Sequence, residues 1–157
     1  MESWNEEYCK KVINEFINDN EIENFKSSNR KYKRNIVTDE TSWIWESVDN
    51  LIKSTLGYNY YLSQWIIGLK YDKGDYFREH YDAGGSSEAR ALSGGIELSD
   101  RNDFDGGKYV INGLSSNKKR GHLFAHKTYE IHEITKVTRG TRYSLHFCIG
   151  KSSSKLI

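Results

Sequence analysis

A histidine and a carboxylate two residues apart are the side chains of this sequence best suited to chemistry. His80 and Asp82 lie in a tyrosine-rich stretch with the pattern of a β-strand, and alternate residues of an extended chain project from one face. A second histidine, His132, is followed ten positions later by Arg142. Two histidines and one carboxylate on one face of a metal leave its other coordination positions open for small ligands. The sequence therefore predicts a metal site beside an arginine that binds an anion.

Two helices and a set of short strands must position these groups. Ser3 and Glu6 resemble a capping box that begins a first helix, and apolar spacing predicts a second helix from Thr41 to Leu56, ending at Gly57. From Tyr60 onward, short extended runs are separated by glycine-rich turns, which is typical of an antiparallel sandwich or barrel. The predicted strands are 65–71, 76–81, 89–98, 108–111, 121–125, 130–136 and 141–149.

The alternation of residues along the predicted strands indicates which side chains face the interior. In the last strand one face carries a set of four residues, which we expect to line a cavity: Arg142, Ser144, His146 and Cys148. Tyr71 is in phase with Trp65, Ile67 and Leu69 on an earlier strand. Its hydroxyl is therefore expected in the same interior.

The ordered set of motifs resembles the Fe(II)/2-oxoglutarate-dependent dioxygenases of the prolyl 4-hydroxylase-like family. The resemblance covers residues of about 65 to 150 and rests on the following pieces: Tyr71, Gly74, Phe77, His80 and Asp82; Leu98-Ser99-Asp100; Asp103-Phe104-Asp105-Gly106-Gly107; Phe124, His132, Val137-Thr138, Gly140 and Arg142. It implies a mostly β fold with flanking helices. One domain would span 1–157, with N-terminal helices at about 2–57 and a double-stranded β-helix (jelly-roll) core at about 60–150.

The resemblance also implies a cofactor set and a role for each site residue. His80, Asp82 and His132 would be the catalytic triad that holds Fe(II). Arg142 and Tyr71 would bind the distal carboxylate of 2-oxoglutarate, with Ser144 as a further hydrogen-bond donor. O2 would be the second co-substrate, and a requirement for ascorbate in full activity is left open.

The first expectation for the function is a prolyl 4-hydroxylase that acts on a proline-containing protein or peptide. The alternatives keep the cofactors but change the substrate to lysyl residues, a nucleobase or a small molecule, because the same triad serves all of these. A third alternative is a non-catalytic jelly-roll binding module. The presence of the full triad and of Arg142 argues against that third reading.

Three other histidines and one glutamate need separate consideration. His126 and His146 are the alternatives to His132 as third ligand, but His126 lies sixteen residues before Arg142, which fits the family poorly. His146 is expected to line the pocket and His122 to be structural. Glu97 departs from the family, in which a neutral polar or aromatic residue is usual, and is expected to be protonated or paired with Arg90 or Arg142 if it faces the cavity.

Glycine pairs and basic clusters are the remaining features. Gly94-Gly95, in a predicted strand, is interpreted as room for substrate, and Gly106-Gly107 as a tight turn with positive φ. Two basic clusters are expected in solvated loops, and the first is also a candidate for gating substrate entry: Lys26, Arg30, Lys31, Lys33 and Arg34; Lys118-Lys119-Arg120.

Composition limits the partners and the compartment. The net charge is +1, so no global field favours nucleic acid or membrane, and neither is expected as a partner. No apolar run approaches a membrane span, and the two cysteines, Cys9 and Cys148, do not form a disulfide framework. We therefore expect a soluble protein that is cytoplasmic or otherwise intracellular, with buried, reduced thiols.

Overall fold

Two helices precede the long strands in the computed structural model, which describes residues 3–18, 22–82, 88–116 and 118–153. Helix α1 spans Glu6–Val12 and continues in a π-helical turn, Ile13–Asn18. Asn5 caps α1, since its side chain accepts a hydrogen bond of 2.8 Å from the backbone N–H of Tyr8. The predicted capping role of Ser3 is therefore wrong, because Ser3 forms a β-bridge with His122 instead.

Helix α2 spans Trp43–Leu56, close to its predicted bounds. The Ser42 side chain accepts a hydrogen bond from the backbone N–H of Trp45, which satisfies one of the free donors of the first turn. Gly57 ends the helix with a φ of 121°, in the region that favours glycine. The second helix therefore begins and ends where local capping chemistry indicates.

Twelve strands lie within the described residues. Their bounds are β1 Glu23–Lys26, β2 Arg30–Val37, β3 Tyr60–Tyr71, β4 Tyr76–His80, β5 Leu92–Glu97, β6 Phe104–Asp105, β7 Tyr109–Ile111, β8 Leu114–Ser116, β9 Leu123–His126, β10 His132–Ile134, β11 Arg139–Gly140 and β12 Arg142–Lys151. All seven predicted strands have a counterpart among them. The prediction of a mostly β fold with N-terminal helices is confirmed.

Most of the strands form one antiparallel sheet that curls on itself. Its order is β8-β7-β10-β4-β2-β3-β12-β5-β9, with β1 paired to β2, and β6 pairs separately with β11. Strands β7 and β9 are near opposite ends of this order, yet the rings of Tyr109 and Phe124 lie 4.9 Å apart between centroids. The two ends of the sheet therefore approach each other across an enclosed space, the half-barrel form of a jelly-roll.

The first basic cluster lies in strands and not in a solvated loop. Strands β1 and β2 form a hairpin, and β2 lies inside the sheet between β3 and β4. Arg30 stacks its guanidinium on the Phe25 ring at 4.1 Å, and Arg34 does so at 4.3 Å. The loop interpretation of this cluster was wrong, because aromatic stacking and pairing on both edges hold a highly charged segment extended.

Two apolar clusters divide the interior. The larger one joins the helices to one face of the central strands, with Val12, Ile52, Ile66, Phe147 and Ile149 among its buried members. The smaller one lies on the other face and consists of Tyr32, Tyr71, Tyr109, Ile134 and Val137 with partly buried neighbours. The helices therefore cover one side of the sheet, while the inside of the curl is lined by aromatic rings around a cavity.

The glycine pair in β5 serves packing and makes no room for substrate. A Cβ on Gly94 would lie 2.6 Å from a methyl group of Ile149, and one on Gly95 would lie 2.6 Å from the carbonyl oxygen of Leu145. Phe124 fills the remaining space over Gly95, at 2.4 Å from such a Cβ. The interpretation of Gly94-Gly95 as a substrate opening is therefore wrong, and close approach of neighbouring groups explains both glycines.

No helix in the described ranges combines the length and the apolar character that crossing a bilayer requires. Both cysteines are free and buried, as expected.

Candidate metal centre and its cavity

The predicted metal ligands come together at the end of two paired strands. His80 is the last residue of β4 and His132 the first of β10, and the two are direct partners in the antiparallel register. Asp82 follows two residues after His80, where its backbone N–H bonds to the carbonyl of Thr128 at 2.9 Å. Strand pairing thus brings together side chains separated by about fifty positions in the chain.

The hydrogen bonds of both imidazoles fix the nitrogen that is left for a metal. Nδ1 of His80 lies 2.7 Å from the carbonyl oxygen of Arg78, and Nδ1 of His132 lies 2.9 Å from that of Glu130. A carbonyl oxygen can only accept, so in each ring Nδ1 carries the proton and Nε2 keeps a free lone pair. Metal-binding histidines are oriented by this kind of outer hydrogen bond.

Distances around Asp82 are compatible with a divalent cation. Nε2 of His80 lies 3.8 Å from Oδ1 of Asp82, and Nε2 of His132 lies 3.6 Å from Oδ2. Two ligand atoms bound at about 2.1 Å to one ion are at most about 4.2 Å apart. Among the described residues, these three form the cluster whose ligand atoms all lie within 4.8 Å of one another. The residues present therefore fit a metal held by two imidazoles and a carboxylate.

Local electrostatics keep His80 neutral and Asp82 ionised, as binding of a metal requires. Burial is the main cause that lowers the pKa of His80 to about 4, and its ring stacks on Phe77 at 3.6 Å between centroids. Burial acts to raise the pKa of Asp82, but the surrounding imidazoles and a hydrogen bond from the Ser93 hydroxyl outweigh it and hold the pKa below its ordinary value. At neutral pH the site therefore offers a neutral His80 imidazole beside an anion.

The other histidines either use their ring nitrogens in hydrogen bonds or lie outside the cluster of His80, Asp82 and His132. In His126, Nδ1 bonds to the carbonyl of Lys127 at 2.9 Å, and Nε2 accepts from the Tyr109 hydroxyl. His146 bonds through Nδ1 to the carbonyl of Gly94 at 3.0 Å and lines the cavity, as predicted. His122 is exposed and forms the β-bridge with Ser3. His132 is the histidine that meets His80 and Asp82.

The three candidate ligands line a cavity of about 410 Å³ inside the curl of the sheet. The set predicted from the alternation in the last strand lines it, namely Arg142, Ser144, His146 and Cys148, and so do Trp65, Ile67, Leu69 and Tyr71. Its volume is in the range of small-molecule sites. The cavity therefore connects the metal ligands to the predicted binding residues for an oxoacid.

Arg142 and Tyr71 lie deep in this cavity as a cross-strand pair. They are register partners on β12 and β3, each 1% exposed, and the guanidinium carbon lies 5.6 Å from the centre of the tyrosine ring. Ser144, the next inward residue of β12, is 2% exposed. Burial raises the pKa of the Tyr71 hydroxyl, so it stays protonated as a hydrogen-bond donor at neutral pH.

Glu97 already binds Arg142. Oε2 of the glutamate accepts hydrogen bonds from Nε at 3.0 Å and from Nη2 at 2.8 Å, and both side chains are almost fully buried. Arg90, the other partner considered for Glu97, bonds instead to the Gln64 side chain. Nη1 of Arg142 and Oε1 of Glu97 have no hydrogen-bond partner among the residues that the structure describes. The arginine thus keeps one buried donor for a ligand, but its charge is balanced within the protein.

Sequence reasoning missed several residues that shape the site. Ser93 orients Asp82, Phe77 supports the His80 ring, and Tyr109 occupies His126. Phe77 was quoted only as part of a motif, and its distance of three residues from His80 does not predict stacking in a regular strand. A register irregularity between β4 and β10 brings the two rings together. These contacts depend on strand register and carry no local sequence signal.

Solved prolyl hydroxylases have a similar fold. A prolyl-4-hydroxylase from Pseudomonas putida superposes with a TM-score of 0.72 at 17% identity, over 97% of this chain and 90% of that chain. The viral collagen prolyl hydroxylase of Paramecium Bursaria Chlorella virus-1, solved as a 2OG complex, gives 0.68 at 15% identity, over 95% of this chain and 92% of that chain. These comparisons confirm the predicted jelly-roll fold.

A third structure is a prolyl hydroxylase from Trichoplax adhaerens in complex with a peptide of the hypoxia inducible factor oxygen degradation domain. It superposes with a TM-score of 0.69 at 15% identity, over 96% of this chain and 82% of that chain. No protein-family model matches the sequence, and a search of curated proteins likewise gives no match. At these identities the likeness establishes the fold, and the function has to be argued from the site.

Proposed function

We propose that this chain is an Fe(II)- and 2-oxoglutarate-dependent dioxygenase that hydroxylates a prolyl residue of a protein or peptide. The observation that carries the proposal is the meeting of His80, Asp82 and His132 in one cavity with the buried Arg142 behind them. Two imidazoles and one carboxylate are the donor set preferred by non-haem Fe(II) oxygenases. The shared fold with prolyl hydroxylases supports the same reaction class.

One set of residues would bind the metal, and another would bind and orient the oxoacid. The chemistry supplied by Fe(II), 2-oxoglutarate and O2 when bound is the coupled oxidation of a C–H bond to an alcohol and of the oxoacid to succinate and carbon dioxide. His80, Asp82 and His132 would hold the metal through Nε2 and carboxylate oxygens. Nη1 of Arg142 would donate to the distal carboxylate of the oxoacid, and the Tyr71 hydroxyl would donate beside it. The aromatic lining excludes water from this end of the cavity.

The lining of the cavity favours an acidic substrate segment. Arg30, Arg34 and Arg90 line it, although Arg34 is already paired with Glu23 at 3.1 Å, and Asp82 is its carboxylate among the described residues. A peptide with Asp or Glu next to its proline would complement these cations. This charge pattern supports a prolyl residue over a lysyl residue as the target. The same arginines would repel the ammonium group of a lysyl side chain.

Anaerobic titrations test the cofactor assignment. Fe(II) and 2-oxoglutarate added to the wild type should give the visible charge-transfer band of an iron-bound oxoacid. Asp82→Ala should lose iron binding, whereas Arg142→Ala should keep iron and weaken 2-oxoglutarate binding. His122→Ala is the matched control, since this exposed histidine lies away from the cavity. The reverse pattern for the two variants would show that the roles are exchanged, and no band in the wild type would favour a non-catalytic module.

Mass spectrometry tests the substrate. Peptides with a central proline flanked by acidic, neutral or basic residues should gain one oxygen on incubation with the loaded enzyme and O2, with the acidic set modified fastest. The same peptides with alanine in place of proline are the control. Oxidation of lysyl peptides or nucleobases in place of prolyl peptides would replace the prolyl assignment with one of its same-cofactor alternatives.

A further inference from the structure

The ion pair between Glu97 and Arg142 is incomplete in a way that points to a ligand. Both hydrogen bonds from the guanidinium reach the same oxygen, Oε2, so Oε1 and Nη1 remain buried without a partner in the described part of the chain. Buried polar atoms without partners are uncommon, because each costs the hydrogen bond it had with water. A bound carboxylate would satisfy Nη1, but it would bring a second negative charge to Oε1.

A bound dicarboxylate would add a negative charge that the Arg142–Glu97 pair does not balance. Arg142 and Glu97 cancel, so the distal carboxylate of 2-oxoglutarate would be an uncompensated charge in a site where the arginine is 1% exposed. One proton on Glu97 removes this excess. Protonated at Oε1, the glutamate would also gain a donor where the ion pair leaves an unpaired acceptor, and its hydrogen bond from Arg142 to Oε2 could remain.

Among the described residues, Arg142 is the cation that forms an ion pair with Glu97, while Arg101, Lys108 and Lys118 line a small cavity beside it. Arg142 faces it from β12, Arg101 acts on it from the 3-10 turn before β6, and Lys118 from the segment before β9. Burial lowers the pKa of Lys118, whose ammonium group lies over the Phe124 ring at 4.7 Å. The Cys9 thiol of α1 is neutral, because burial raises its pKa to about 11.

Burial also prepares Glu97 to accept a proton. Loss of solvent raises the pKa of its carboxyl above the ordinary value, although Arg142, the nearby backbone N–H of Ser99 and Arg101 all act to lower it. A second carboxylate at Arg142 would raise the pKa of Glu97 further, since like charges disfavour ionisation. The protonated form would therefore be more populated with a dicarboxylate bound than without one.

We propose that Glu97 makes the binding of the dicarboxylate co-substrate proton-linked, so that the chain accepts 2-oxoglutarate at Arg142 together with one proton on the glutamate. This inference rests on the proposed function, because it assigns Arg142 to the oxoacid. In the pH range between the titration of Glu97 in the free and in the bound protein, the dissociation constant rises about tenfold per pH unit. Outside this range it is flat.

Calorimetry of the anaerobic Fe(II)-loaded wild type, titrated with 2-oxoglutarate at pH 6, 7 and 8, measures this linkage. Repeating each titration in two buffers with different ionisation enthalpies gives the number of protons taken up. Oxalate is the control ligand, since it chelates the metal but has no distal carboxylate. The expected result is weaker 2-oxoglutarate binding at higher pH relative to oxalate, with an excess uptake approaching one proton.

Glu97→Gln supplies the second arm, and Glu46→Gln is its control because Glu46 is exposed on α2. Glu97→Gln should bind 2-oxoglutarate about tenfold or more tightly than wild type at pH 8, with no excess proton uptake. If Glu97→Gln does not fold, the wild-type titrations at pH 6, 7 and 8 still show whether binding of 2-oxoglutarate takes up a proton.

The same titrations distinguish a failure of the role of Glu97 from a failure of the proposed function. Equal pH dependence for 2-oxoglutarate and oxalate in the wild type, without excess proton uptake, would overturn the role of Glu97 and leave the proposed function standing. Binding of oxalate without any binding of 2-oxoglutarate from pH 6 to 8 would instead remove the oxoacid from the proposed function.

Discussion

Acidification of the metal-free protein should destabilise the fold through His80. The side chain is 17% exposed, and burial is the main cause that lowers its pKa from 6.5 to about 4. The nearby His132 acts in the same direction, while the hydrogen bond to the Arg78 carbonyl opposes it. His80 therefore stays neutral in the folded state under conditions in which an unfolded chain would protonate it.

The size of the effect follows from the difference between the two pKa values. Between them the unfolded state binds a proton that the folded state does not, so the free energy of unfolding falls as the pH falls from 6.5 towards 4. A gap of roughly 2.5 units corresponds to about 3 kcal/mol in total, of which about 2 kcal/mol would be lost at pH 5. At pH values above the ordinary pKa of histidine, burial of this imidazole no longer lowers the free energy of unfolding.

Urea unfolding in the presence of a chelator measures this loss. Wild type and His80→Gln would be compared at pH 7.5 and pH 5, and the wild type should lose about 2 kcal/mol more than the variant between the two. His122→Gln serves as the control, since it removes an exposed histidine and should behave like wild type. An equal loss in wild type and His80→Gln would refute the claim that burial of this imidazole suppresses its protonation.

Further substitutions at Ser93, at Gly95 and in the Arg142–Glu97 pair test the supports of the site. Ser93→Ala should weaken metal binding about ten- to a hundredfold by freeing Asp82; competition with a metal-sensitive dye measures this, and unchanged affinity would contradict it. Gly95→Ala should cost about 1–3 kcal/mol in thermal or urea unfolding, because its Cβ meets a backbone carbonyl; an unchanged midpoint would disprove that contact. Arg142→Met should cost roughly 3–5 kcal/mol and Arg142→Met with Glu97→Leu much less; equal losses would show that the pair is not coupled.

Strands with alternating apolar and polar residues could be predicted from the sequence, whereas the first hairpin could not. In β12 the inward set is clear because every second residue faces the cavity and the others pack into the core. In β2 the sequence is dominated by cations, and Tyr32 is its buried residue. What holds β2 is pairing with β3 and β4 together with stacking on Phe25, and such long-range contacts leave no periodic signal.

The sequence could predict that three candidate metal ligands lie together, but it could not predict how the buried charged residues pair with one another. His80 and Asp82 could be found because their spacing matches a strand face, and their meeting with His132 agrees with the motif order. The bond between Glu97 and Arg142 joins residues 45 positions apart, and it exists because β5 and β12 are register neighbours. Composition alone could not choose between Arg90 and Arg142 as the partner of Glu97, since the choice depends on how the sheet curls.

Both imidazoles of the proposed centre are held by the carbonyl two residues earlier in their own segment, Arg78 for His80 and Glu130 for His132. Main-chain atoms are insensitive to side-chain replacement, so the walls of the cavity can change without turning either ring. New ligands could therefore be accommodated by altering the arginines and aromatics that line the cavity, while the geometry of the three candidate metal ligands is kept. Ligand specificity could therefore change in few mutational steps, since it depends on side chains of the cavity wall, whereas the orientation of the two imidazoles depends on the main chain.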